Sequence, residues 1–331
     1  MLVASPCDAH NAHCCDLLRS LGRGFLTVVL SISFLFSPSL FAQTNIQRPH
    51  LLGLAHVAFR VSDLDKTQAF YASILGYEQP FSLNDGDGKT TTAFVKVNDL
   101  QYVELFQGDA QSQGQLDHFA LYTDDLTAMR AYLQSLGMYI AKDTHKGRIG
   151  NPFLTIRDPD GHFVEILQYS SNSLTGQAQG KFMPAGRVSG HITNVGILVK
   201  SVDSAMRFYR DALGFREFSR GGGAAGQPGW IDLQVPDGSD YIELIPFSGK
   251  PSPADLKAQN HFCLASSDVR KAVATLRSRG ISGSLNLSIR VQTGDGLPAR
   301  ANFFDPDGAR IEMMEPLPAV APVVERAAHQ Q

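Results

Sequence analysis

The chain has 331 residues, which suggests about two domains, and 43% of them are apolar, enough for packed cores. A formal charge of −3 without any block of Lys and Arg excludes the electrostatic footprint of a nucleic-acid or membrane-surface binder. A small-molecule substrate is the partner expected.

The first feature in chain order is a targeting signal. Arg19 and Arg23 precede an apolar run from Phe25 to Phe36, and Leu40-Phe41-Ala42-Gln43 follows Ser37-Pro38-Ser39. A basic start, an apolar stretch and a small residue at a cleavage point describe a secretory signal peptide over residues 1–42. The run is shorter than the roughly 20 residues a bilayer span needs, so no stable membrane span is expected after cleavage. The mature protein is then expected to be periplasmic or secreted. Cys7, Cys14 and Cys15 fall in the removable segment, which leaves Cys263 alone. A disulfide within one mature chain is excluded, and the core must hold the fold.

From Ala55 to Val61 the residues alternate as in a half-buried strand. Ser62 with Asp65 three residues later reads as a capping box opening a helix, and Gly76 suits its C-terminal end. Alternating strands follow, ending at Tyr102-Val103-Glu104-Leu105-Phe106. A second unit of the same plan begins at Asp117-His118-Phe119, passes through a helix from Leu126 to Leu136, and ends at Phe163-Val164-Glu165-Ile166-Leu167. Strand alternation puts Val57, Phe59 and Val61 under the helix and His56, Ala58 and Arg60 on the opposite face. Glu104 and Glu165 likewise turn away from their apolar neighbours. In Asp158-Pro159-Asp160-Gly161, Pro and Gly occupy turn positions that aim the last strand and its Glu.

The whole pattern then recurs. Leu54 to Leu64 is echoed by Ile192 to Val202, Phe70 to Glu78 by Phe208 to Arg216, and Arg157 to Glu165 by Phe304 to Glu312. Residues 50–170 and 188–317 are therefore read as two domains of one design. Residues 171–187, rich in Ser, Gly, Gln and Ala without periodicity, read as a linker, and residues 318–331 as a disordered tail.

At His56, Glu104, His118 and Glu165 the chain resembles the vicinal oxygen chelate superfamily of glyoxalases, bleomycin-resistance proteins and extradiol dioxygenases. The resemblance implies an α+β fold in which four βαβββ modules pair into two incomplete-barrel domains. It also implies a divalent metal in the cup of the first, on residues from the first and last strands of each module. Two imidazoles and one or two carboxylates suit Fe, Ni, Zn or Mn and leave positions open for substrate. Such an ion is a Lewis acid for two vicinal substrate oxygens. Glu165 is expected to double as the base, as the last-strand Glu does in the family's isomerases, with Glu104 as a ligand.

The matching positions of the second half are Asn194, Glu243, His261 and Glu312. An amide is a weak ligand beside imidazole, so this cup is expected to be degenerate; Cys263, on the same face as His261, is read either as a small buried hydrophobe or as a replacement ligand. Arg60, Arg148 and Asn151 are candidate substrate contacts, the last two on a loop with Lys146 that rims the cup in this fold.

The expected function is an exported metal-dependent enzyme of the glyoxalase-I-like lyase or isomerase kind. The familiar glyoxalase substrate is a glutathione adduct made in the cytosol, so an exported member would need another oxygenated substrate. The alternatives are an Fe(II) extradiol ring-cleaving dioxygenase and a metal-free binding protein of the bleomycin-resistance type. Family members pair modules within and between chains, which leaves a homodimer open.

Overall fold

A computed structural model describes residues 46–108, 115–140, 145–223, 228–281, 292–294 and 297–316. The expected signal peptide and tail lie outside these residues. No described helix is long and apolar enough to cross a membrane.

The first half is strand β1 (Gly53–Val61), helix α1 (Leu64–Ser73), β2 (Glu78–Asn84), β3 (Thr90–Asn98) and β4 (Gln101–Gln107), then β5 (Gln115–Tyr122), α2 (Leu126–Ser135), β6 (His145–Lys146), β7 (Pro152–Arg157) and β8 (Phe163–Leu167). These are two βαβββ modules. Their strands form one open sheet in the order β2-β3-β4-β1-β5-β8-β7-β6, with β1 and β5 antiparallel at its centre and each parallel to the last strand of its own module.

The second half repeats the plan with β9 (Ile192–Val199), β10 (Arg216–Gly221), β11 (Trp230–Gln234), β12 (Tyr241–Pro246), β13 (His261–Ala265), β14 (Gln292–Gly294), β15 (Leu297–Phe304) and β16 (Arg310–Met314). Its sheet order, β10-β11-β12-β9-β13-β16-β15-β14, is the first order shifted by eight. The α+β architecture of four modules in two open-sheet domains is the one expected.

Helix α1 starts differently from the expectation. Its N-cap is Asp63, which accepts from the backbone N–H of Lys66. Ser62 faces the other half, where its N–H and hydroxyl donate to Oδ1 of Asp307, and Thr67 donates to Oδ2. A tertiary partner for Ser62 displaced the local capping box. In mirror fashion, Asp160 of the first turn accepts from the N–H of Lys200. Each Asp-Pro-Asp-Gly turn thus clasps the strand-to-helix junction of the opposite half. The apolar faces of both sheets, with Val57, Phe59 and Val61 beside Val195, Ile197 and Phe262, belong to one continuous core.

Residues 171–187, expected as an aperiodic linker, carry the short helix α3 (Leu174–Gln177), capped by Ser173. They also cover a fully buried lysine: Nζ of Lys96 donates to Asp99 Oδ1 and to the carbonyls of Ala178 and Lys181. A buried ammonium needs such partners. The segment lacks periodicity because polar pairing rather than an apolar stripe holds it. In the second half, α4 (Val202–Met206) runs on into a π-helical stretch, Arg207–Ala212; α5 (Pro253–Gln259) and α6 (Val269–Ser278) complete the helices among the described residues.

Candidate metal centre

The pleat of β1 sends Val57 and Phe59 into the core and leaves His56 on the concave side. Register then builds the cluster. β1 lies between β4, which carries Glu104, and β5, which carries His118, and β8 beside β5 adds Glu165. Nε2 of His56 and Nε2 of His118 are 2.9 Å apart. Oε1 of Glu104 is 3.9 Å from His56 Nε2, its Oε2 is 3.8 Å from His118 Nε2, and Oε2 of Glu165 is 3.7 Å from His118 Nε2. The donor atoms of His56, His118 and Glu165 all lie within 4.8 Å of one another.

Donors each about 2.1 Å from one metal, at angles between 90° and tetrahedral, lie about 3.0 to 3.4 Å apart, so the two imidazole nitrogens already stand at such a spacing and the carboxylate oxygens would close in by a few tenths of an ångström. The protonation chemistry fits too. Burial, and then the charge of His118, holds His56 well below the usual imidazole range. Burial pushes Glu104 up to about 8 and Glu165 up to about 7, against the opposing pull of His118. His118 itself is raised: burial works against its charge, but the Asp117 hydrogen bond and the charges of Glu104 and Glu165 outweigh it. Such a group of donors gives up protons when a cation binds, because a ligand must be deprotonated.

The cluster lines a cavity of about 150 Å³ with Leu83, Thr92, Phe94, Phe106, Arg148, Ile149, Phe153 and Leu167 among its walls. Arg148 is exposed at this lining. Asn151 also borders the cavity, but its amide is taken up structurally: Nδ2 donates to Thr175 Oγ1 and Oδ1 accepts from the N–H of Ser170. Arg60 is not a lining residue; its Nη2 lies 2.5 Å from Asp117 Oδ1, at the end of β1. The aromatic walls came from β3, β4 and β7, whose Phe residues are indistinguishable in sequence from core phenylalanines.

The second cup keeps the register and changes the chemistry. Nε2 of His261 is 3.3 Å from Glu312 Oε2 and 3.9 Å from Glu243 Oε1, and these three residues also cluster within 4.8 Å. Yet His261 is completely buried, lying across Gly196, where a Cβ would stand 2.1 Å from its Cε1. The corresponding residue facing His118 is Ala58. Arg300 and Arg310 approach Glu312 at 3.7 and 3.8 Å. Burial would raise the Glu312 carboxyl, but the His261 hydrogen bond and charge and the two arginines hold it below the usual range. Two wall positions have also become ionisable: Asp232, whose carboxyl burial raises to about 8, faces Glu243 where Phe94 faces Glu104, and Arg300 takes the place of Phe153. Asn194 lies buried in the floor. The thiol of Cys263 is fully buried in an apolar group with Tyr241 and Met314, outside the donor cluster, and burial pushes it well above the usual thiol range. It is the small hydrophobe of the two readings.

Residues 53–166 and 189–313 both match the profile of the Glyoxalase/Bleomycin resistance protein/Dioxygenase superfamily. Among curated proteins, the chain is similar to the lactoylglutathione lyase of Schizosaccharomyces pombe, 21% identical over 306 residues, or 79% of this chain and 96% of that one. A probable lactoylglutathione lyase of Synechocystis is 29% identical over 126 residues, covering 36% of this chain and 96% of the other. Among solved structures, the Mn(II)-bound glyoxalase of Novosphingobium aromaticivorans shares the fold with a TM-score of 0.60 at 20% identity, over 82% of this chain and 84% of that one. The 2,3-dioxygenase LapB of a Pseudomonas species does so with a TM-score of 0.61 at 16% identity, over 83% and 96%. Two profile matches that span both halves, on the architecture and register described above, make the chain a member of the glyoxalase, bleomycin resistance protein and dioxygenase superfamily.

Proposed function

We propose that the first half is a metal-dependent lyase or isomerase centre acting on a small substrate with two adjacent oxygens, with His56, Glu104, His118 and Glu165 as its metal-binding residues. The observation that supports this most is the convergence of two imidazole nitrogens, 2.9 Å apart, with two carboxylates inside 4 Å at the floor of a cavity. A bound divalent ion supplies Lewis acidity toward vicinal oxygens. The residues do the rest. His56 and His118 fix the place of reaction from two central, rigid strands, and Glu104 holds them from the side. Glu165, the more exposed of the two acids, moves a proton at Oε2 between adjacent substrate carbons. Phe94, Phe106 and Phe153 exclude water, and Arg148 meets a negative group at the mouth.

The curated relatives named as lactoylglutathione lyases favour a thioester-forming reaction on an adduct of a thiol and a 2-oxoaldehyde. If residues 1–42 direct export, the thiol partner differs from glutathione. The aromatic walls also favour a second reading, in which a flat catechol ring is cleaved at an iron held in the first half. The deciding experiment assays the protein, loaded in turn with Mn(II), Ni(II), Zn(II) and Fe(II), for thioester formation from 2-oxoaldehyde adducts and for ring cleavage of catechols. Thioester formation lost in Glu165→Gln supports the lyase; ring cleavage with Fe(II) alone supports the dioxygenase; neither activity with any ion removes the enzyme reading.

A further inference from the structure

A β-bulge stands at the site in the first half. In the first half β5 pairs Ala58 with His118 and Phe59 with Leu116, so Asp117 has no partner of its own across the ladder. An extra residue in one strand re-aims its neighbours, which otherwise alternate between faces. Here it lets two consecutive side chains meet: Nδ1 of His118 donates to Oδ2 of Asp117 at 2.8 Å. Oδ1 of the same carboxylate is held by Arg60 Nη2.

The second half lacks this arrangement. Strand β13 begins at His261, and its ladder with β9 ends at the His261–Gly196 pair, so no strand pairing continues to the residue before the histidine. The residue at the position of Asp117 is Asn260, whose Oδ1 accepts from the N–H of Leu198. Nδ1 of His261 donates to a carbonyl instead, that of Gln259, at 2.8 Å. Both rings thus have Nδ1 engaged and Nε2 turned to the cluster, but only His118 has a charged acceptor.

We propose that Asp117, placed by the bulge and held by Arg60, is a positioning residue that fixes the Nδ1–H tautomer of His118, presents its Nε2 lone pair to the metal, and strengthens it as a donor. The inference rests on the reading of the first half as a metal centre. A carboxylate on the far nitrogen of an imidazole ligand orients the ring and raises its basicity, and removing such a partner weakens binding about 10- to 100-fold. The device accounts for two features the proposed chemistry leaves unused: an acid beside a histidine at a strand bulge, and an arginine on the site's face that stays out of the cavity.

The test is Co(II) binding to the full chain, followed by visible absorption and by competition with a chromophoric chelator, in the parent and in Asp117→Asn, Asp117→Glu and Arg60→Gln. Expected are a Kd raised about 10- to 100-fold in Asp117→Asn, a smaller rise in Arg60→Gln, and partial rescue in Asp117→Glu, with the metal-free variants still folded by far-UV circular dichroism at the temperature of the titration. A parent and an Asp117→Asn variant that bind Co(II) equally would overturn the inference and leave the metal centre standing. A parent that binds no Co(II) would overturn the metal centre and the inference with it. In the Zn(II)-loaded protein, the His118 Nδ1–H resonance should shift upfield in Asp117→Asn, a signature that a purely structural role would not move.

Discussion

The hydroxyl of Tyr209, in the second half, donates to Oδ2 of Asp158, in the first, at 2.9 Å, and both groups are buried. Asp158 Oδ2 is also 2.8 Å from Nδ1 of His162, and its Oδ1 accepts from the N–H groups of Asp160 and His162. One carboxylate therefore holds its own turn together and ties it to the other half.

That pairing has a pH signature. Burial alone would raise the Asp158 carboxyl, but hydrogen bonds from His162 and Tyr209, and the charge of His162, hold it below the usual carboxylate range. A carboxyl lowered by folding contributes stability above its unfolded pKa and loses it as pH falls through the folded one. Asp158→Asn is expected to lower stability at pH 7 and to flatten the decline below about pH 4. Tyr209→Phe should cost about 1 kcal/mol. Urea unfolding of the three proteins between pH 2.5 and 7 checks this; parallel pH curves for parent and Asp158→Asn would contradict it.

Gly196 is needed for the second cup as it stands. Its missing Cβ is the space in which the His261 ring lies. Gly196→Ala should force the ring aside and destabilise the protein by about 1 to 3 kcal/mol, the usual cost of overpacking. An unchanged urea midpoint would show that the ring rests elsewhere. In the first half the same position is already Ala58, and His118 is 12% exposed rather than fully buried.

Lys96 and the segment over residues 171–187 should stand or fall together. Lys96→Met keeps the apolar stem but leaves buried carbonyls short of a donor, at a cost of about 2 kcal/mol. Limited proteolysis should then cut within residues 171–187 faster than in the parent. Equal cleavage rates would mean that α3 is held without the ammonium.

Glu165 and Glu104 should separate in function. Glu165→Gln is expected to lower turnover per bound metal at least about 100-fold, the effect of removing a positioned base over and above any loss of a ligand. Glu104→Gln should act first on metal content, because Glu104 sits between both imidazoles. Identical losses of metal in the two variants would contradict this division.

Much of this was legible in the sequence because it depends on period and repetition. Strand alternation is enough to place His56 and Val57 on opposite faces, and the repeat of Phe70-Tyr71 as Phe208-Tyr209 exposes the duplicated design. What stayed hidden depends on register and on partners distant in the chain. A bulge at Asp117 leaves no mark on composition, so strict alternation would have turned that carboxylate away from His118. Ser62 with Asp65 satisfies the capping pattern, yet Ser62 found Asp307 across the boundary between halves. Arg60 shares the face of His56 but lies at the strand end, where an acid claims it before a substrate could.

The most direct test of the central claim is the metal content of the protein by elemental analysis, beside a His56→Ala, His118→Ala double variant. The account predicts that the parent, reconstituted with a divalent ion, holds about one more equivalent per chain than the double variant. Equal metal content in the two, or none in either, would contradict a metal centre in the first half.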